Sequence, residues 1–218
     1  MGAAARLKCS IALNALVVVL EIIAIAHGVV VHGVAENFIF YTECSNLMGG
    51  IACALCMLAE ISALAAGRAD GFELDRGLCW LKYASCCCLL MTLFVVTVIL
   101  APMLNSINRP GYYLMFVDGV KSITHLGAPL LVFGSYVLFE ADRSMTLKQS
   151  LIGFLPTLVY AIVAYACNIL RLWDGPYPFF QVYDMPLWMT VLWFVALFIL
   201  AFGLCQLPRI AGRRARSR

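Results

Sequence analysis

Residues 38–66 read FIFYTECSNLMGGIACALCMLAEISALAA, and this stretch decides how the chain is interpreted. It is apolar for most of its length, yet its beginning concentrates polar side chains at Tyr41, Thr42, Glu43, Ser45 and Asn46. Thr42 and Asn46 are four residues apart, so they share one face of a helix. Inside a bilayer, hydroxyl and amide groups require partners or a wet cavity. The stretch therefore predicts a membrane helix with a polar site at one end.

The composition predicts an all-α, polytopic integral membrane protein. The chain has 218 residues, of which 63% are hydrophobic and 12% charged, with a mean hydropathy of +0.93. Soluble domains carry about 25% charged residues. The ten cysteines lie in or beside apolar runs, and Cys53-x-x-Cys56 has no second pair or histidines at zinc spacing. We therefore expect the cysteines to pack as small apolar residues, and we expect no metal and no cofactor.

Six apolar runs predict a six-helix transmembrane bundle formed by one domain, residues 1–218. Each run can cross a hydrocarbon core of about 30 Å at about 1.5 Å per residue. The runs cover about residues 11–31, 38–66, 78–104, 120–140, 147–172 and 186–207. Residues 208–218 form a basic tail, which we expect to contact anionic lipid head groups. Without the five arginines of this tail, ten bases face twelve acids, so nucleic-acid binding is disfavoured.

The distribution of basic residues predicts the orientation. With six spans, twelve Lys and Arg residues lie on the side of the two termini, and three lie on the opposite side: Arg109, Lys121 and Arg171. The positive-inside rule then places both termini in the cytoplasm. A bacterial chain of this kind would lie in the cytoplasmic membrane.

The predicted topology brings the polar and aromatic features to one level. Thr42 and His125 each lie near the outer end of a span, and the loop containing Tyr177 lies on the same side. Such a convergence is typical of a cavity open toward the outer leaflet. Topology fixes the shared depth, but it does not decide whether spans two and four touch.

Three motifs resemble the androgen-inducible membrane protein family. They are Phe40-Tyr41-Thr42-x-x-Ser45-Asn46, His125-x-x-x-Pro129 and Tyr177-Pro178-Phe179, and they cover spans two to six in order. The animal members hydrolyse fatty acid esters of hydroxy fatty acids, and the chain is most similar to bacterial six-span relatives. It departs from the animal pattern at Ser45-Asn46, where those members carry an apolar–Asp pair, and in a His-to-Pro spacing one residue shorter.

The resemblance implies a lipid-ester hydrolase in which Thr42 is the nucleophile and His125 the second catalytic residue. A threonine hydroxyl needs a base to remove its proton, and histidine titrates in the suitable range. Asn46 is a candidate oxyanion donor, and Asp118 or Asp184 could orient the histidine. Further candidates for substrate or oxyanion contact are Tyr41, Ser45 and Tyr177. The expected partner is a membrane lipid or lipid ester; the oligomeric state is not indicated.

Several alternatives remain open. An acyltransferase would use the same nucleophile and base with a different acceptor. Glu21 lies in the middle of the first run, and we expect it to face the bundle interior, since a charge exposed to lipid is costly. A transporter or channel for a small solute or proton would use a polar path through Glu21, Asn46 and His125. Three histidines also allow one bis-histidine haem. In a purely structural interpretation, Thr42 caps or back-bonds its helix, while Asn46 and His125 form hydrogen bonds between helices.

Overall fold

A computed structural model describes residues 2–142 and 144–215. Within this part of the chain the structure is all-α and has no strand. The long helices are α1 (Ala3–His32), α2 (Tyr41–Ala65), α3 (Arg76–Ser106), α4 (Ile123–Glu140), α5 (Leu155–Ile169) and α6 (Leu187–Ala215). The connections contain short helical turns at Val34–Asn37, Gly111–Phe116, Gln149–Gly153 and Pro178–Phe180.

Five of these helices are long and apolar enough to cross a membrane, by length and composition: α1 to α4 and α6. This arrangement is compatible with a helical integral membrane protein, as the composition predicted. α5 has 15 residues, about 22 Å at 1.5 Å per residue, so the helix alone falls short of a core of about 30 Å.

The predicted fifth run, 147–172, is broken rather than continuous. A 3₁₀ turn, Gln149–Gly153, precedes α5 and lies against the first half of α3, at Tyr83 and Cys87. A Cβ atom at Gly153 would come within 2.6 Å of the Tyr83 ring and 2.7 Å of Cys87 Sγ, so only glycine fits this approach. Pro156 then opens α5. Proline lacks an amide hydrogen and its ring clashes with the carbonyl four residues earlier, so it is accommodated best in the first turn of a helix.

Two helices extend beyond their apolar runs. α1 begins at Ala3 rather than near residue 11, and α6 continues to Ala215 rather than ending near 207. Alanine and arginine favour helix as strongly as apolar residues do, so the end of an apolar run does not end the helix. The predicted tail is therefore helical as far as Ala215. Its remaining arginines, Arg216 and Arg218, and the loop residue Arg143, lie outside the described residues.

Among the described residues, α3 contains a π-helical turn at Val96–Leu100, and α4 begins with one at Ile123–Gly127 and ends with one at Tyr136–Glu140. The first two turns each end two residues before a proline, Pro102 or Pro129. A proline leaves a carbonyl of the preceding turn without its usual donor and widens that turn. The second turn contains His125, and π turns are frequent at functional sites.

α3 is the central helix of the bundle. Its side chains from Lys82 to Thr92 are all buried, and it contacts α2, α4 and α6. α1 packs antiparallel on α2, with the pair Ser10 and Glu60 near the N-terminal end of the bundle. The ten cysteines are free of disulfides among the described residues, and seven are buried. The seven buried side chains pack between helices, as predicted, whereas Cys9 is exposed and Cys44 and Cys167 are partly buried.

Candidate functional site

Thr42 lies in the first turn of α2 and lines a cavity at the end of the bundle opposite the N terminus. The side chain is almost buried, and the cavity has a volume of about 50 Å³. Tyr41, Thr157 and Tyr177 also line it; most of the other lining side chains are aliphatic or aromatic. A threonine hydroxyl is therefore held in a small, largely apolar space.

Tyr41 and Tyr177, two of the three tyrosines that line this cavity, are fixed by neighbours. The hydroxyls of Tyr41 and Thr157 are 2.6 Å apart. Tyr177 stacks on Phe179 with ring centroids 5.3 Å apart, and its hydroxyl oxygen accepts the Thr42 amide hydrogen at 3.4 Å. Burial raises the pKa of Tyr177 to about 12. The phenol therefore keeps its proton at neutral pH and can donate it in a hydrogen bond.

Asn46 and Ser45 bind the Thr42 turn to neighbouring helices. Asn46 Nδ2 donates to the Thr42 carbonyl at 2.8 Å and to the Thr124 carbonyl at 3.2 Å. α2 and α4 are therefore in contact, which the predicted topology left undecided. Ser45 Oγ donates to the Thr42 carbonyl at 2.9 Å and lies 2.9 Å from the Thr92 hydroxyl. Since both Nδ2 hydrogens of Asn46 are engaged, an oxyanion role would require breaking one of these bonds.

His125 lies in the π turn of α4 and is 8% exposed. Its Nδ1 atom is 2.7 Å from the Met115 carbonyl, and its ring meets the edge of Phe116. Because a carbonyl only accepts, Nδ1 must carry a hydrogen in this bond. In the neutral ring, Nε2 is then the unprotonated nitrogen and can accept a proton.

The structure brings the predicted residues to one end but does not join the pair directly. In the described part of the chain, no hydrogen bond links Thr42 and His125, and His125 does not line the Thr42 cavity. The link between them runs through Asn46 and the Thr124 carbonyl. Asp118 is paired with Lys121 at the surface, and Asp184 is exposed. The Met115 carbonyl therefore orients His125 in their place.

Further apolar spaces continue from the Thr42 cavity toward the side of the bundle. A small void of about 20 Å³ shares Thr157 and Phe180 with it. A wider cleft of about 680 Å³ between α5 and α6 shares Tyr165 and Phe194 with that void. The three spaces are separate, but their shared walls mark a lateral direction from Thr42 toward the outside of α5 and α6.

A second polar cluster lies at the N-terminal end of the bundle, and sequence reasoning missed it. Lys82 Nζ is 3.3 Å from Glu140 Oε2, and neither side chain is exposed. Lys82 also donates to Asn14 Oδ1 and, at 2.9 Å, to Cys53 Sγ. We call these groups, with the hydrogen-bonded residues around them, the lysine–glutamate cluster: Ser10, Asn14, Cys53, Glu60, Lys82, Ser135 and Glu140.

Lys82, one of the twelve basic residues counted on the side of the two termini, is not a loop residue. It lies inside α3 and pairs with the buried carboxylate of Glu140, which stabilises a cation away from water. Without Lys82, eleven Lys and Arg residues lie on the side of the two termini and three lie on the opposite side, so the predicted orientation is unchanged. Three charges could have revealed this cluster in the sequence: Glu60, Lys82 and Glu140. Each lies near the end of its apolar run that the predicted topology places on the side of the two termini.

Glu21 faces the interior of the bundle, as predicted. It is 1% exposed and lies beside Gly50 of α2. Among the described residues, neither of its carboxyl oxygens has a hydrogen-bond partner.

Comparison with known proteins leaves these sites to be interpreted from their geometry alone. No family model, no curated protein and no solved structure matches the chain.

Proposed function

We propose that the protein is an intramembrane lipid-ester hydrolase with Thr42 as nucleophile and His125 as general base. The observation that carries the proposal is the position of the Thr42 hydroxyl in a small, largely apolar cavity bordered by three tyrosines. An apolar space excludes water, and at about 50 Å³ this one fits the ester group of a lipid rather than its acyl chains, which would extend into the neighbouring cleft.

In the proposed reaction, Thr42 Oγ attacks the ester carbonyl while His125 Nε2 accepts the hydroxyl proton. The tetrahedral oxyanion is stabilised by donors, for which the protonated Tyr177 phenol is the nearest candidate. Collapse of this intermediate returns the proton to the leaving alcohol. Water activated by the same histidine then hydrolyses the threonine ester and releases the acid.

The pair must close when substrate binds, because its side chains are not hydrogen-bonded in the free protein. Catalytic hydrogen bonds often tighten only in the substrate complex. The π turn at His125 supports this step, since a widened turn is easier to rearrange than a regular one. The cleft between α5 and α6 is the proposed route by which lipid reaches Thr42.

The turnover of a fatty acid ester of a hydroxy fatty acid tests this mechanism. Thr42→Ala and His125→Ala should each reduce turnover by about 10²–10⁴-fold or more, with the folded fraction unchanged. Thr97→Ala and His32→Ala are matched controls, because Thr97 back-bonds to Leu93 within α3 and His32 is exposed. Full activity of Thr42→Ala would exclude it as nucleophile. Transfer of the acyl group to an added alcohol instead of water would identify the related acyltransferase.

We further propose six membrane crossings with both termini in the cytoplasm. The 3₁₀ turn and α5 together supply the crossing that α5 is too short to make alone. The protein itself supplies hydrogen-bond partners to this 3₁₀ segment, because the interior of a membrane supplies none. A tag after Arg218 should be inaccessible from outside intact cells, and a tag in the loop at Asn108 should be accessible. The reverse pattern would refute the orientation.

Transport through Glu21, Asn46 and His125 is the second candidate. The observation favouring it is the buried, unpaired carboxyl of Glu21, since an ionisable group inside a membrane bundle commonly marks a solute or proton path. Proton or ion flux into proteoliposomes that is lost in Glu21→Gln would support it. A flux no greater than that of empty liposomes would exclude transport as the function.

A further inference from the structure

The lysine–glutamate cluster contains more negative than positive charge if all its groups are ionised. Lys82 contributes +1, while Glu60 and Glu140 contribute −1 each, which leaves −1. All three residues are at most 5% exposed. An uncompensated charge in such a place costs several kcal/mol, so the cluster requires one more positive charge.

The contacts of Lys82 fit a cation. Its Nζ atom donates hydrogen bonds to Asn14 Oδ1 and Cys53 Sγ and forms an ion pair with Glu140 Oε2 at 3.3 Å. An ammonium group has three hydrogens and no acceptor of its own, so a charged Lys82 can serve all three of these neighbours. The missing charge therefore has to be found at the carboxyl groups.

The donors around Glu140 show that it is the ionised carboxylate. It accepts from Asn14 Nδ2 at 2.6 Å and from Ser135 Oγ at 3.1 Å, in addition to its ion pair with Lys82. A carboxylate with several donors and an adjacent ammonium is favoured in its charged form.

Glu60 is the remaining carboxyl, and its geometry suits a bound proton. Its Oε1 atom is only 2.5 Å from Ser10 Oγ, whereas Asn14 Nδ2 is 3.4 Å from its Oε2. Ser10 Oγ also lies 3.4 Å from Glu140 Oε1, yet it has one hydrogen for two carboxyl groups. If Glu60 carries a proton, it donates to Ser10 and Ser10 donates to Glu140, so every contact has a donor.

A cavity connects this site to the N-terminal end of the bundle. It has a volume of about 510 Å³, and Ser10, Glu60 and Glu140 line it. Its other charged or titratable lining groups are Arg6, Glu73, Arg76, Cys79 and Asp142. The two arginines and the two acids cancel, so the described lining does not neutralise the cluster. Cys53, whose Sγ atom is 2.9 Å from Lys82 Nζ, and Cys56 are buried thiols of α2.

We propose that the cluster is a proton-binding site in which Glu60 holds one exchangeable proton, loaded through this cavity. The site is separate from Thr42 and His125 and rests on neither proposed function. In the proposed orientation it exchanges protons with the cytoplasm.

Infrared spectroscopy of the full-length protein in lipid nanodiscs tests the proposal. The background variant is Glu21→Gln/Glu43→Gln, so that the other carboxyl groups with buried, unpartnered oxygens outside the cluster are silent. At about pH 7, where exposed carboxyls are ionised, we expect one protonated-carboxyl band that shifts on transfer to deuterated water. Glu60→Gln should remove it, and Glu73→Gln, a change at an exposed residue of the same cavity, should leave it unchanged. If the background variant does not fold, the difference between wild type and Glu60→Gln carries the same test.

Three outcomes would overturn the proposal. The first is a background spectrum without a protonated-carboxyl band. The second is a band that survives Glu60→Gln in folded protein. The third is a band that sodium chloride removes at constant pH while choline chloride does not, because the cluster would then bind an alkali cation in place of the proton.

Discussion

Replacing Lys82 with methionine should destabilise the protein strongly. Methionine is close to lysine in length and fills the same space, so the change removes the charge with little loss of packing. The variant leaves Glu140 buried without its ion pair and leaves Asn14 Oδ1 and Cys53 Sγ without the ammonium hydrogens. Breaking a buried ion pair costs about 3–5 kcal/mol.

This loss should lower the melting temperature by about 6–20 °C, at about 2–4 °C per kcal/mol for a chain of this size. The assay is thermal unfolding in detergent micelles, followed by circular dichroism. Lys121→Met is the matched control, since Lys121 pairs with Asp118 at 3.8 Å with both side chains about half exposed. An exposed pair contributes about 0–1 kcal/mol, so this control should melt close to wild type.

The double variant Lys82→Met/Glu140→Gln separates the charge from the packing. It removes both ions of the pair, so it should melt higher than Lys82→Met alone. Equal melting of Lys82→Met and Lys121→Met would refute the buried ion pair. A double variant no more stable than the single would show that the unpaired carboxylate is not the source of the loss.

Three further changes test the packing of the bundle by the same unfolding assay. Gly153→Ala should lower the free energy of unfolding by about 1–3 kcal/mol, because its methyl group would overlap the Tyr83 ring. Gly134→Ala, at a helical site with open space, should raise it by up to about 1 kcal/mol. Equal effects of the two substitutions would refute the broken fifth segment. Tyr83→Phe should cost about 1 kcal/mol, because it removes the 2.6 Å hydrogen bond that its hydroxyl donates to a carbonyl of α6, and an unchanged melting temperature would count against that bond. Asn46→Ala should cost about 1–3 kcal/mol and lower lipid-ester turnover, because the link between Thr42 and Thr124 is lost; full stability would contradict that link.

Hydrophobic runs predicted the helices well because burial in lipid and helix formation require the same residues. All six predicted runs contain a helix. The exceptions have local causes: Gly153 and Pro156 shorten the fifth helix, and helix-favouring residues lengthen the first and last. Apolar composition predicts which segments enter the membrane, but it does not predict where the backbone of such a segment must turn.

Side-chain partners were harder to predict, because they depend on how helices rotate against each other. The sequence predicts the interior position of Glu21 and the shared end of Thr42 and His125. It did not reveal that Met115 holds His125, or that Lys82 is buried against Glu140. Lys82 lies six residues inside α3, where a count of loop charges treats it as exposed.

The proposed nucleophile is tested most directly by labelling the purified protein with a fluorophosphonate probe, followed by mapping of the modified peptide. The account predicts labelling of Thr42 in wild type, loss of labelling in Thr42→Ala and in His125→Ala, and retention in Thr97→Ala. Labelling that persists in folded Thr42→Ala, on a different residue, would contradict the assignment of Thr42.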